Sequence, residues 1–133
     1  MPKKLTNQNN FQSKNNSPLA NKDHSTIKFK IALDHILCNN YQFKDLNKKG
    51  IREFSKFLLN TIGKNLTMTD VENTYMRTHK KPLEKEMING EMQNVIHLGK
   101  DRTAFRIFGY YNTDDYFCIH RIDPNHQFYK SNY

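Results

Sequence analysis

The residues best suited to chemistry lie near the end of the chain, in the segment CIHRIDPNHQFYK at positions 118–130. This segment contains two histidines, an arginine, an aspartate and a tyrosine, all of which can hold phosphate, bind metal or move protons. Imidazole is especially informative because its ordinary pKa, about 6.5, lies close to neutral pH. The segment is therefore either part of an active site or the last strand of a sheet with its turn.

Two extended runs surround this chemistry. Both runs are rich in apolar residues: the first is AFRIFGYY (104–111) and the second is YFCIHRID (116–123). The short segment NTDD joins them, which predicts a β-hairpin. If Tyr111 pairs with Tyr116, then Ile107 pairs with His120 on one face. The other face carries the arginines.

In that register Arg106 lies directly opposite Arg121. Two opposed guanidinium groups repel each other unless an anion lies between them. The anion is either a carboxylate of this chain, such as Asp123 or Asp101, or a phosphate supplied by a ligand. A slip of the register, which would separate the arginines, is the third alternative.

A metal site is the weaker reading of the histidines. His120, Asp123 and His126 form H-x-x-D-x-x-H, and His97 lies on a neighbouring predicted strand. No cysteine pair or HExxH pattern accompanies them, and DPNH has the composition of a type I turn. We therefore predict no metal and no other cofactor.

General acid–base chemistry on RNA requires a proton acceptor, a proton donor and cations that stabilise a pentacoordinate phosphate. Each suitable residue, taken alone, is more often structural, and only their grouping suggests a site. The candidates are His97, His120 and His126 for proton transfer, Arg106 and Arg121 for the phosphate, and Tyr110 and Tyr129 for base stacking or proton transfer.

Length and charge limit the kind of protein and of partner. A chain of 133 residues fits one domain with a core of its own. The formal net charge of +8 and the isoelectric point of about 9.5 favour a polyanionic partner such as RNA. Cys38 and Cys118 are isolated, which suits a reducing cytosol, and no apolar run approaches the ~20 residues that cross a bilayer. We expect a cytoplasmic protein without a membrane partner.

Other catalytic classes lack their motifs. The sequence has no G-x-S-x-G for nucleophilic catalysis, and its five glycines are scattered instead of forming a phosphate-binding loop. Nucleotide-dependent reactions are therefore disfavoured.

The polarity pattern predicts an α+β fold with an antiparallel sheet of about four strands and two helices packed on one face. Residues 1–26 are polar and basic and are read as a disordered arm; a single domain spans 27–133. The predicted order is a strand at 27–33, a helix from Asp45 to Lys64, a second helix capped by Thr67 and ending near Arg77, a loop at 78–93, and strands at 94–99, 104–111 and 116–123. The alternative for 78–93 is a short helical or hairpin piece, since Asn89-Gly90 is a turn signal.

Lys28 and Lys30 occupy the polar face of the first predicted strand, IKFKIAL. Lysines there either guard a sheet edge against further pairing or face a polyanion. As candidate nucleic-acid contacts we name Lys28, Lys30, His97, Arg102 and Tyr110.

This order of elements, the basic charge and the Arg/His/Tyr-rich hairpin formed by FRIFGYY and YFCIHRID resemble the RelE/ParE superfamily of toxins from bacterial toxin–antitoxin pairs. The resemblance covers about residues 27–130 and is one of architecture. It implies a metal-independent, ribosome-dependent messenger RNA endonuclease that a cognate antitoxin neutralises. It also implies Arg106 and Arg121 as phosphate groups, His120 or His126 as acid–base groups and Tyr129 as a terminal aromatic.

The expected function is therefore RNA cleavage that inhibits translation. The alternative is a non-catalytic binding module of a plasmid or phage, directed at nucleic acid or at a host or defence protein.

Overall fold

The computed structural model describes residues 23–77, 84–100 and 102–128. Among these described residues lie two α-helices, two short 3₁₀ helices and five strands. The helices are α1 (Lys48–Asn60) and α2 (Met68–Tyr75), with 3₁₀ turns at Phe43–Asp45 and Ile62–Lys64. The strands are β1 (Ile31–Ala32), β2 (Glu84–Ile88), β3 (Glu91–Gly99), β4 (Arg106–Tyr111) and β5 (Phe117–Asp123).

The strands form one sheet in the order β1-β5-β4-β3-β2. Strands β2 to β5 pair in antiparallel fashion, whereas β1 runs parallel to β5. The α+β class is confirmed, but the sheet is mixed and has five strands instead of the four antiparallel strands predicted.

Helix α2 begins at the predicted cap, Thr67, whereas α1 begins three residues after its predicted start at Asp45. The Asn47 side chain accepts a hydrogen bond from Gly50 N at 2.8 Å, and Thr67 forms a reciprocal capping box with Asp70. The predicted first helix, Asp45 to Lys64, is in fact α1 flanked by the two 3₁₀ turns. The second helix ends at Tyr75, two residues before its predicted end.

The two faces of the sheet differ. One face packs against both helices and forms the main core, in which Phe57, Val71 and Tyr75 meet sheet residues such as Ile107 and Phe117. The opposite face carries a smaller cluster to which neither α1 nor α2 contributes: Ile88, Val95, Phe108, Tyr110 and Cys118, with Ala32 and Phe128 packed against it. We call this second surface the open face.

The segment read as a loop at 78–93 contains strand β2 and the start of β3. In its described part the hairpin alternative is therefore correct and the plain loop is wrong. Asn89 and Gly90 join the two strands with φ angles of 51° and 89°, as a two-residue hairpin turn requires. Residues 78–83 lie outside the described residues.

The predicted strand at 27–33 is mostly not a strand. Only Ile31 and Ala32 pair with β5, whereas Phe29 N donates to Leu66 O at 2.9 Å beside α2. Phe29 is buried in the main core, and this packing holds the segment beside α2 instead of along the sheet. His24, placed in the arm by sequence, is also buried and contacts Glu72 at 2.6 Å. Residues 1–22 of the predicted arm lie outside the described residues.

The predicted hairpin register was also wrong. Tyr111 pairs with Phe117, Phe108 pairs with Arg121, and Arg106 pairs with Asp123. The register shifts between Phe108 and Gly109, so that His120 has no partner on β4 and forms a β-bulge. The two arginines therefore lie on a diagonal and not opposite each other.

Gly109 permits this bulge because the two strands approach each other closely there. A Cβ built on Gly109 would lie 2.3 Å from Cys118 O and 2.8 Å from the ring of Phe117. Neither neighbour can withdraw easily, since one is backbone and the other is a buried core side chain.

We expect Gly109→Ala to lower the free energy of unfolding by about 2 kcal/mol or more, within the range of overpacked cores. Urea denaturation of the wild type and the variant measures this loss. Gly63→Ala is the matched control, because a Cβ at Gly63 would meet its nearest atom at an ordinary 3.5 Å. Equal stability of the two variants would contradict the close approach at Gly109.

Candidate functional site

Four side chains form a continuous run across the open face, which we call the relay; hydrogen bonds join the first three, and an ion-pair contact joins the third to the fourth. Tyr110 OH lies 3.2 Å from His35 Nδ1, and His35 Nε2 lies 3.3 Å from His120 Nδ1. His120 Nε2 in turn lies 3.5 Å from the Glu86 carboxylate. The relay joins a phenol, two imidazoles and a carboxylate from four separate segments of the chain.

The direction of these hydrogen bonds follows from the carboxylate. Ionised Glu86 can only accept, so His120 must donate from Nε2. In its neutral form His120 then accepts at Nδ1, which requires His35 to donate from Nε2. Since Nδ1 of neutral His35 is then an acceptor, the Tyr110 hydroxyl donates to it. Every member has a role consistent with its neighbours.

Adding one proton to His120 reverses the direction of the relay. His120 Nδ1 then donates to His35 Nε2, and His35 donates from Nδ1 to the oxygen of Tyr110. The Tyr110 hydroxyl is then released to donate to another group. The relay can therefore take up a proton at Tyr110 and store the charge at His120, beside Glu86.

The bulge brings His120 and Arg121 to the same carboxylate although they are consecutive in sequence. Arg121 donates to both oxygens of Glu86, at 2.8 and 3.1 Å, in a bidentate ion pair. Its guanidinium lies between two rings, 3.9 Å from the centroid of Phe128 and 4.9 Å from that of Phe108. The hydrogen bond from His120 and the contacts with Arg121 hold the pKa of Glu86 down at about 2 against the effect of burial.

At the other end of the relay, Tyr110 lies beside Cys118 and Asp34. The Cys118 thiol donates to Asp34 Oδ2 at 3.1 Å, and Asn112 Nδ2 donates to the same oxygen at 3.3 Å. Burial and the nearby Asp34 raise the pKa of Cys118 to about 12, and burial raises the pKa of Tyr110 to about 12. Both groups therefore keep their protons at neutral pH, and Cys118 is not a thiolate nucleophile.

His35 has the opposite tendency. Partial burial, and then the proximity of His120, lower the pKa of His35 below its ordinary value of 6.5. Its ring stacks on Tyr110, with centroids 5.8 Å apart and an interplanar angle of 17°. His35 is therefore neutral at pH 7 and can receive a proton.

Two clefts flank the relay and give it access to a ligand. Tyr110 lines a cleft of about 470 Å³ together with Asp34, Glu91 and three amides, Asn89, Gln93 and Asn112. His35 lines the second cleft, beside Asp34 and Lys44. The amides supply hydrogen-bond donors and acceptors next to the phenol, and Lys44 supplies a cation next to the imidazole.

Five of the sequence-predicted residues lie on the open face, but their surroundings differ from those expected. His120 and Tyr110 belong to the relay, and Arg121 is paired with Glu86. His97 stacks on Phe108, with centroids 5.0 Å apart. Arg106, opposite Asp123 in the register, is buried and donates from Nη1 to the carbonyl oxygens of Thr103 and Phe105 at 2.8 Å.

The remaining predicted residues lie away from the relay. Lys28 donates to Asn65 O at 2.7 Å, and the Nζ of Lys30 lies 4.8 Å from the ring centroid of Tyr116. Arg102 is exposed in the β3–β4 loop with a φ of 66°. His126 lies in the turn after β5, with a φ of 54°. Tyr129 and Asp101 lie outside the described residues.

The sequence analysis missed three contributors: Asp34, His35 and Glu86. Asp34 and His35 follow β1 in a segment without periodicity, and Glu86 was assigned to a loop. The alternation in EKEMI before the Asn-Gly turn was the signal that would have placed Glu86 on a strand. Pairing with β3 then puts Glu86 on the hairpin next to β4.

In the described part of the chain, no three His, Cys, Asp or Glu side chains group closely enough to hold a metal ion. The carboxylate of Asp123, part of the H-x-x-D-x-x-H pattern, instead accepts from the backbone nitrogens of Gln127 and Phe128 at 2.8 Å. Neither α1 nor α2, nor any other described helix, has the length and apolar character needed to span a membrane. Comparisons with protein-family models, with curated proteins and with solved structures found no match.

The relay makes the stability of the protein depend on pH in two separate windows. The pKa of His35 is lowered on folding, so the unfolded state binds more protons near its ordinary pKa of 6.5 and stability falls as the pH decreases below about 7. The pKa of Glu86 is also lowered on folding, from 4.5 to about 2. Ionised Glu86 therefore stabilises the folded state above pH 4.5, and this stabilisation is lost as the pH falls toward 2.

We therefore expect His35→Gln to flatten the dependence of the free energy of unfolding on pH between about 7.5 and 5.5. Glu86→Gln should flatten it below about 4.5 instead. Urea denaturation at half-unit pH intervals measures both slopes. A His35→Gln protein with the wild-type slope in the upper window would contradict the perturbed imidazole.

Proposed function

We propose that this protein acts on RNA and cleaves it without a metal ion, using the relay as its proton acceptor. The observation that supports this most directly is the unbroken run from the hydroxyl of Tyr110 through His35 and His120 to Glu86. Such a run supplies general base catalysis to a substrate hydroxyl in the adjoining cleft.

In the proposed reaction a ribose 2′-hydroxyl gives its proton to the oxygen of Tyr110. The phenol passes its own proton to His35 Nδ1, and His35 passes its Nε2 proton to His120 Nδ1. The 2′-oxygen attacks the adjacent phosphorus and expels the 5′-oxygen, which takes a proton from water. The products are a 2′,3′-cyclic phosphate and a 5′-hydroxyl end, and the imidazolium of His120 is stabilised by Glu86 until it returns its proton to solvent.

The raised pKa of Tyr110 is compatible with this route, because the phenol gains and loses a proton in one concerted transfer and no phenolate accumulates. Neutral His35 is likewise the form that accepts. The cation proposed to meet charge on the phosphate is Lys44, which lines the second cleft together with His35 and not the cleft of Tyr110.

RNA is the favoured substrate for two reasons. The chain carries a net charge of +8, which attracts a polyanion. The cleft at Tyr110 is lined by the amides of Asn89, Gln93 and Asn112, which suit the donor and acceptor edges of unpaired bases.

The predicted arginines take supporting roles in this proposal. Arg121 fixes the Glu86 carboxylate and so orients His120, which makes it a positioning residue. Arg106 binds backbone carbonyl groups of the β3–β4 loop. Neither is assigned to the phosphate.

Within this proposal the protein is a RelE/ParE-like toxin that acts in the cytoplasm on messenger RNA at the ribosome and inhibits translation. Its partners are then RNA or the ribosome and a cognate antitoxin protein. The support is the α+β architecture together with a histidine-containing open face and the basic charge.

The second candidate is a non-catalytic binding module of a plasmid or phage, directed at nucleic acid or at a host or defence protein. It is favoured by one observation: both sheet arginines are engaged by groups of the protein itself. In that case the relay is a structural network, and its substitution leaves activity intact.

We expect purified wild-type protein with EDTA present to cut an RNA oligomer, alone or with ribosomes, and to leave 5′-hydroxyl ends. Tyr110→Phe and His35→Gln should lower the rate by about 10²- to 10⁴-fold, the usual contribution of general acid–base catalysis. Gel analysis of end-labelled RNA, with and without polynucleotide kinase, measures both rate and end chemistry.

The matched control is Tyr116→Phe, which removes a hydroxyl from an exposed tyrosine of the same hairpin and should cut at the wild-type rate. Ends carrying a 5′-phosphate, or full activity in His35→Gln, would exclude the relay mechanism. Intact RNA and uninhibited translation with the wild type would favour the binding module.

A further inference from the structure

On the helix side of the sheet, away from the relay, a cleft of about 230 Å³ lies between α1 and the β3–β4 loop. Its floor consists of three largely buried aromatic residues, Phe57, Tyr75 and Phe105. Its rim carries three cations, Lys56 from α1 and Lys100 and Arg102 from the loop. An aromatic floor beneath a cationic rim is the combination that binds an aromatic base together with its phosphate.

The cations of the rim are available to a ligand. Lys56, Lys100 and Arg102 are all exposed, and none forms an ion pair with another described residue. Glu53 is the only carboxylate among the described residues that line the cleft, and with the three cations it gives a sum of +2 for these four side chains. The cleft is therefore electrostatically complementary to phosphate.

The β3–β4 loop that carries two of these cations is held from below. The buried guanidinium of Arg106 donates to the carbonyl oxygens of Thr103 and Phe105, and Lys100 O lies 3.5 Å from the same Nη1. Gly99 makes room for it, since a Cβ there would lie 2.3 Å from Arg106 Cδ. Arg106 thus fixes the rim in place without touching the ligand.

The positive surface continues beyond the cleft along α1. Lys49 and Arg52 precede Lys56 by two turns and one turn on the same helical face, and both are exposed. Neither forms an ion pair among the described residues. A row of cations leading to a single aromatic cleft fits a phosphate backbone better than an isolated small molecule.

We propose that this cleft binds one nucleotide of a single-stranded nucleic acid, with its base against the aromatic floor and the flanking phosphates along Lys100, Arg102 and α1. This binding does not require the relay, so it can be tested independently of RNA cleavage.

The test is fluorescence anisotropy of a labelled single-stranded RNA hexamer with the full chain. The Lys100→Ala/Arg102→Ala double variant should weaken binding by roughly 10-fold or more and reduce the dependence of affinity on salt. Phe105→Leu, which keeps the cations, should weaken binding by about 5-fold or more through loss of the aromatic floor.

The matched control is Lys64→Ala/Lys85→Ala, which removes two exposed charges outside the cleft. Its loss of affinity should be less than a third of the loss in Lys100→Ala/Arg102→Ala. Circular dichroism melting verifies that each variant is folded.

Three results would overturn the proposal: an equal loss in the control pair, equal affinity for a duplex of the same length, or competition by a free nucleoside monophosphate as effective as that by the hexamer. The last result would assign the cleft to a free nucleotide instead of a strand.

Discussion

The bulge at His120 is the constraint on which the open face depends. An extra residue in β5 turns two consecutive side chains, His120 and Arg121, toward one carboxylate, which a regular strand cannot do. The bulge in turn depends on the close approach of the strands at Gly109. The bulge therefore creates both the ion pair between Arg121 and Glu86 and the end of the relay at His120. It also explains why the Arg121–Glu86 pair is tolerated within a sheet.

The two faces of the sheet differ because α1 and α2 both pack on the same face. The main core, built from α1, α2 and the inner face, supplies the apolar burial that stabilises the fold. The open face instead combines the residues of the smaller apolar cluster with titratable side chains, several of which are hydrogen-bonded to one another. Arg106 binds backbone carbonyl groups of the β3–β4 loop, whereas its neighbours on the same face belong to the relay.

Strong local signals made the class of fold predictable from sequence. The capping residues Thr67 and Asp70 predicted the start of α2, and the apolar residues of β4 and β5 predicted the hairpin strands. The register was not predictable, because the sequence does not mark His120 as the extra residue. Of the site, Tyr110, His120 and Arg121 were identified by type, whereas His35 and Glu86 were missed because tertiary pairing alone brings them to the open face.

The central claim is that Tyr110, His35, His120 and Glu86 form one directed run of hydrogen bonds. Long-range ¹H–¹⁵N correlation spectra of the imidazole rings test it most directly, because they report which nitrogen carries the proton. The account predicts that His35 and His120, in their neutral forms, both carry it on Nε2, and that Tyr110→Phe shifts the Nδ1 resonance of His35. A neutral His35 that carries its proton on Nδ1 would contradict the account. An Nδ1 resonance of His35 that is unchanged in Tyr110→Phe would also contradict it.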